Sequence, residues 1–170
     1  MKTNKVILAS LLVLAAVFSR LIPHPPNFTP IAATALFGGA YFNDKKLSFA
    51  IPLIALFLSD LILGLHTLLP VVYACFALIV LIGFRLRENK SVTKVGIAAI
   101  SSSVIFFIVT NFGVWLIGSY YSKTIEGLTA CYVAAIPFFQ NSLSGDLFYT
   151  GVLFGGFELV RKYTPILQEA

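Results

Sequence analysis

Hydropathy and charge partition this 170-residue chain so strictly that few folds remain open to it. Apolar stretches cover about 6–22, 30–42, 47–64, 69–84, 95–117 and 141–160, with polar connections between them. Hydrophobic residues make up 58% of the chain and charged residues only 11%. A water-soluble domain of this size needs a far more polar exterior. The pattern therefore predicts an all-α membrane protein, a six-helix transmembrane bundle forming one domain over 1–170, with no linker or repeat.

The basic residues predict its orientation. Alternating the stretches from a cytoplasmic N-terminus places Lys2, Lys5, Lys45, Lys46, Arg85, Arg87, Lys90, Lys94, Arg161 and Lys162 inside. Only Arg20 and Lys123 fall outside. Basic residues in short loops are held back during insertion, so the expected topology is N-in/C-in. The net charge of +5 is dispersed among separate loops. It reads as contact with the headgroups of a lipid bilayer, and nucleic acid is not an expected partner. Lys2 and Lys5 ahead of the apolar run 6–18 resemble the start of a signal peptide. Arg20 directly after the candidate cut, and the lack of an Ala-x-Ala pattern, predict a retained helix instead. Cys75 and Cys131 are expected at different depths and unpaired, and no redox or metal cysteine motif is present.

The second stretch is anomalous. Pro23, Pro25, Pro26 and Pro30 exclude a helix before Thr29, which reads as an N-cap with Pro30 at the first helical position. The helix to Phe42 then spans roughly 20 Å, short of a hydrocarbon core of about 30 Å. Charge alternation still requires a crossing, so the Pro-rich segment is predicted to be a re-entrant loop meeting the short helix below the outer surface. Irregular backbone at that depth is tolerated where it lines a cavity or is buried in protein. The piece 128–139, ending around Pro137, is too short to span and is expected to be a helical outer lid.

Polar residues inside the stretches share one level. Counted from the inner ends of their helices, Thr29, Asp60 and Asp146 lie at about 20 Å and Asn111 at about 24 Å. His24 and Asn27 belong to the loop at that height, Asn141 opens the sixth stretch, and Trp115 and Tyr149 supply aromatic surface. Intramembrane carboxylates cost roughly 2.5–3.5 kcal/mol on insertion scales unless paired or hydrated. Their shared depth predicts an outward-facing polar and aromatic pocket, suited to a flat, ring-containing solute. The candidate substrate-binding residues are His24, Asn27, Thr29, Asp60, Asn111, Trp115, Asn141, Asp146 and Tyr149. Each also has a plainer role: the acids and amides as interhelical bonds, Trp115 and Tyr149 as interfacial belt residues. Ala35-xxx-Gly39 and Gly151-xxx-Gly155 read as helix-packing faces.

The runs Arg20-Leu-Ile-Pro-His-Pro-Pro-Asn27-Phe-Thr-Pro30, Ala35-Leu-Phe-Gly-Gly-Ala40, Ser59-Asp60 with Gly64-Leu-His66, and Asn141 with Gly145-Asp146-Leu-Phe-Tyr149 carry a resemblance over nearly the whole chain. The sequence resembles an uncharacterised family of small bacterial integral-membrane proteins described as transport candidates, which implies the bacterial cytoplasmic (inner) membrane. Its layout is also distantly similar to the substrate-binding S components of energy-coupling-factor (ECF) vitamin transporters. That likeness implies an ATP-driven energising module as partner. S components dock that module through an Ala-xxx-Ala face on the first helix. The nearest features here are Ala15-xxx-Ser19 and the cluster Ala32, Ala33 and Ala35.

Three functions are weighed. The first is uptake of a small-molecule solute, vitamin- or nucleobase-like, without catalysis or cofactor. The second is a membrane metal-dependent hydrolase using Asp60, His66, His24 and Asp146, although their spacing matches no metal signature. The third is a structural or assembly subunit of a membrane complex. The chain has no P-loop, so energy for transport comes from a partner or a gradient.

Overall fold

The computed structural model describes residues 3–165, and every regular element among them is helical. Helix α1 (Thr3–Phe18) runs into a 3-10 turn, Ser19–Leu21. Then come α2 (Ile31–Tyr41), α3 (Lys45–Leu63), α4 (Leu69–Phe84), α5 (Val92–Ile117) and α6 (Ile125–Thr150). A π-helical segment, Gly151–Gly155, joins α6 to α7 (Gly156–Tyr163) without leaving helical backbone. Segments Thr3–Leu21, Lys45–Leu63 and Val92–Ile117 are long and apolar enough to cross a membrane, and α2 and α4 are apolar but shorter. Ile7, Leu11, Ile54, Ile62, Ile97 and Leu116 all stand more than half exposed. Such a surface costs nothing in hydrocarbon and is unfavourable in water, consistent with an integral membrane protein.

The short second helix forms the axis of the bundle. All of α2 except Ile31 is buried, and α1, α3, α4, α5 and α6 pack around it. Small residues permit this crowding. A Cβ on Gly83 would lie 2.4 Å from the Leu36 carbonyl oxygen and 2.8 Å from Gly39 Cα, so α2 and α4 cross backbone to backbone. A Cβ on Gly38 would lie 2.5 Å from Pro52 Cγ on α3. Gly39 therefore packs as its spacing predicts. Gly151 and Gly155 do not: a Cβ at either would meet nothing within 4 Å. Ala32, Ala33 and Ala35 are at most 3% exposed, so that cluster packs the bundle's own core and presents no surface to a partner.

The two ends of α2 are closed by side chains from elsewhere. The helix starts at Ile31, with Pro30 in the cap position and no side-chain cap bond. This corrects the expectation for Thr29, and the reason is a substitute: the Asp146 carboxylate on α6 faces the N–H groups of Ala32 and Ala33. At the other end Arg87 donates from Nε to the Gly39 carbonyl (2.9 Å) and from Nη2 to the Phe42 carbonyl (2.6 Å). An anion at the N-terminus and a cation at the C-terminus both complement the helix dipole. α1 belongs to the same core, contributing Ala9, Val13 and Val17.

A separate lid helix is absent from the described chain, because α6 passes straight through Pro137. Proline removes one helical hydrogen bond and crowds the preceding turn, but contacts to α5 hold both sides of it. Tyr132 Oη donates to the Ile108 carbonyl (2.7 Å), and the rings of Phe107 and Phe139 stand 4.7 Å apart.

Candidate functional site

A cavity of about 240 Å³ opens at the end of the bundle opposite Arg87. It draws on the chain before α2, on α3, on the loop to α4, and on α5 and α6. Asn27, Thr29, Asp60 and Asn111, four of the residues expected there, line it together. The loop that supplies Asn27 is fixed by its own backbone. Phe28 N–H bonds to the Pro25 carbonyl and Thr29 N–H to the Asn27 carbonyl, each at 3.0 Å. Asn27 takes φ 63°, a left-handed conformation that asparagine tolerates better than most residues. Gly145 lets this loop lie on α6, since a Cβ there would stand 3.0 Å from Thr29 N.

Asp60 is not a free carboxylate. Arg20 Nη1 donates to Asp60 Oδ1 (2.8 Å) and to Ser59 Oγ (2.5 Å), and Tyr73 Oη donates to Asp60 Oδ2 (3.1 Å). The two charged side chains are 12% and 4% exposed. A charge pair so poorly hydrated holds together because each partner compensates the other. One donor is left over: Arg20 Nε is buried with no hydrogen-bond partner, while Arg20 itself lines the cavity. Asn111 Nδ2 donates to the Phe107 carbonyl one turn below (2.8 Å), which leaves its amide oxygen available to the cavity.

Asp146 stands behind the cavity wall. Its Oδ2 accepts from Ser103 Oγ at 2.7 Å, and Ser103, not Asp146, is a lining residue. The expected pair of carboxylates thus resolves into one neutralised by Arg20 and one committed to α2 and α5. Neither acid is left free to hold a cation.

The remaining candidates lie outside the lining. His24 is in the exposed loop with Nδ1 2.9 Å from the Pro25 carbonyl. Asn141 Nδ2 donates to the Pro26 carbonyl (3.0 Å), pinning that loop to α6. Tyr149 Oη accepts from Ser19 Oγ (2.8 Å), and its ring meets Phe28. Trp115 Nε1 donates to the Ser122 carbonyl (2.8 Å), and Lys123 Nζ donates to the Trp115 carbonyl, closing the α5–α6 turn. Three of these hold the frame around the cavity; His24 does not.

Several lining residues escaped the sequence reading: Arg20, Ser103, Phe106, Phe107, Thr110, Phe139 and Ser142, with His66 weighed only as a metal ligand. Arg20 carried a usable signal, being one of only two basic residues that charge alternation sets apart from the rest. The aromatic residues carried none, because a phenylalanine facing a cavity looks like one facing lipid. Among the described residues no three His, Cys, Asp or Glu side chains gather as a metal site would require. Asp60 and His66 share the cavity while His24 and Asp146 do not.

The family model described as "Family of unknown function (DUF6580)" matches residues 1–167, and the chain belongs to that family. No curated protein and no solved structure matches the chain.

Proposed function

With membership of a family of unknown function as the premise, we propose that this chain is a small-molecule uptake protein. It binds an uncharged or zwitterionic, vitamin- or nucleobase-like solute in the cavity beneath the Pro-rich loop. The observation that carries this reading is convergence: polar side chains from five separate segments meet around one 240 Å³ space. Interhelical bonding by itself would fill such a space. The rings of Phe106, Phe107 and Phe139 offer flat apolar walls, while Asn27, Asn111, Thr110 and Ser103 offer hydrogen bonds to ring heteroatoms.

In this reading the bundle sits in the bacterial inner membrane, N-in/C-in, with six crossings. The loop carrying Asn27 is re-entrant, and the outer part of α6 acts as a lid through Phe139. Inward release proceeds as in ECF S components, with an ATP-driven module as partner. The exposed face of α1 around Ala15 is the surface open to that module. The hydrolase reading is weaker, since its four ligands are divided between loop, cavity and wall.

Native mass spectrometry of gently purified protein tests the proposal. A metabolite should co-purify, and Asn111→Leu should lose it at an unchanged unfolding temperature, because the Asn111 side chain donates to a carbonyl of its own helix. Retention unaltered by Asn111→Leu and by Phe107→Ala, in folded protein, would overturn it.

A further inference from the structure

The wall that α5 and α6 give to the solute cavity has a polarity of its own. Its polar members are Ser103, Thr110 and Asn111 on α5 and Ser142 on α6. Serine and threonine inside a helix can hand their proton to the carbonyl one turn back, and here they do. Thr110 Oγ1 donates to the Phe106 carbonyl (2.7 Å) and Ser142 Oγ to the Phe138 carbonyl (3.1 Å). Ser103 Oγ has one proton and two claimants, Asp146 Oδ2 at 2.7 Å and the Ala99 carbonyl at 3.1 Å. Asn111 Nδ2 donates to the Phe107 carbonyl (2.8 Å). A carbonyl can only accept, so the amide nitrogen must be the atom held there, and the amide oxygen is left over. A hydroxyl that has spent its proton keeps only lone pairs. This wall therefore offers the cavity acceptors.

Resting on the uptake reading of this cavity, we propose that the solute is an uncharged heterocycle with an N–H- or NH₂-bearing edge, and that the acceptors of α5 and α6 read that edge. A ring presenting carbonyl oxygens or bare nitrogens there sets lone pair against lone pair. It binds only if a hydroxyl swings off its carbonyl, or Ser103 off Asp146, and each swing gives up a hydrogen bond. A donor edge requires no such rearrangement. Mismatch of this kind discriminates strongly, because it leaves polar groups unpaired on both sides. Charge is decided separately. Asp60 is answered by Arg20 and Tyr73, and Asp146 by Ser103, so an ammonium group finds no free carboxylate to offset its lost hydration. The rings of Phe106, Phe107 and Phe139 also line the cavity. They hold the flat faces of a heterocycle whichever edge it turns, and so contribute affinity without choosing the edge.

The test is native mass spectrometry of the full chain in mild detergent, titrated with adenine and with N,N-dimethyladenine, the same ring with its exocyclic donors capped. Adenine should be retained at concentrations at least tenfold lower. Thr110→Val, close to isosteric, and Ser142→Ala each remove an acceptor, and together they should erase most of that preference. Exclusion of the methyl groups by bulk alone would leave it unchanged. Either single variant carries the test should the pair fail to fold. Phe107→Ala should weaken both purines alike. Equal retention of the two purines, or a preference that survives loss of both hydroxyls, would overturn the donor-edge assignment and leave solute uptake standing. If neither purine is retained, the readout passes to the metabolite that co-purifies. Thr110→Val with Ser142→Ala should release it, and its retention by that folded variant would overturn the assignment in the same way. An unaltered chain that retains neither purine and carries no metabolite would instead overturn the uptake reading, and this assignment with it.

Discussion

Among individual residues, the Arg20–Asp60 pair is the most consequential contact in the half of the bundle that holds the cavity. Removing either partner strands a buried charge, which costs about 3–5 kcal/mol, whereas an apolar replacement of both is often near neutral. Arg20→Met and Asp60→Leu should therefore each lower the unfolding midpoint sharply, and the double variant should recover most of the loss. Urea or thermal unfolding in detergent measures the cycle; additive losses would mean that the two side chains are not coupled. The double variant should still lose solute, because Arg20 and Asp60 both line the cavity and their replacements are apolar. Depth counting found Asp60, Asn111 and Thr29 because helix rise converts sequence position into height. It could not find Arg20, since a cation just past a helix end reads as a topology signal wherever its side chain turns. Nor could it separate Asp60 from Asp146. Equal height says nothing about which side of a helix faces a cavity.

For the elements, α2 shows how a helix too short to span becomes the most buried part of the bundle. Its ends are held by Asp146 and Arg87, residues more than forty positions away in sequence. Asp146→Ala removes the charge facing the N–H groups of Ala32 and Ala33 and the acceptor of Ser103. The expected loss is about 1–3 kcal/mol of stability, with solute affinity of the protein that remains folded changed only a few-fold. Affinity abolished at full stability would place Asp146 in the binding surface instead. The fourth element, 69–84, was legible to the residue, because Leu69-Pro70 opens it and the basic loop closes it. The start of α2 was misplaced because its cap comes from another helix, which local sequence cannot display. The break at Pro137 was misread for a related reason. A proline ends a helix only when nothing outside it holds the two halves in line, and here α5 does.

For the whole molecule, the alternation of charge makes a claim about sidedness that the packing allows to be tested. Lys5, Arg87, Lys90 and Arg161 come from the first helix, the loop before α5 and the last helix, and they surround one cavity. Whatever the bilayer does, these four share an end. Arg20 belongs to the cavity at the other end. In the proposed orientation, positive-inside bias would put the crowded end in the cytoplasm. The two native cysteines are both free and buried, so they give little background to a thiol reagent that cannot cross lipid. Single cysteines at Lys46, Lys94 and Lys162 should label only in inside-out vesicles, and one at Tyr120, 90% exposed in the α5–α6 turn, only in right-side-out vesicles. Labelling of Lys46→Cys with Tyr120→Cys would mean that α2 does not cross. The Pro-rich loop would then lie on the same side as Lys46, and an outward cavity lined by Asn27 and Asn111 together would need a different membrane placement altogether.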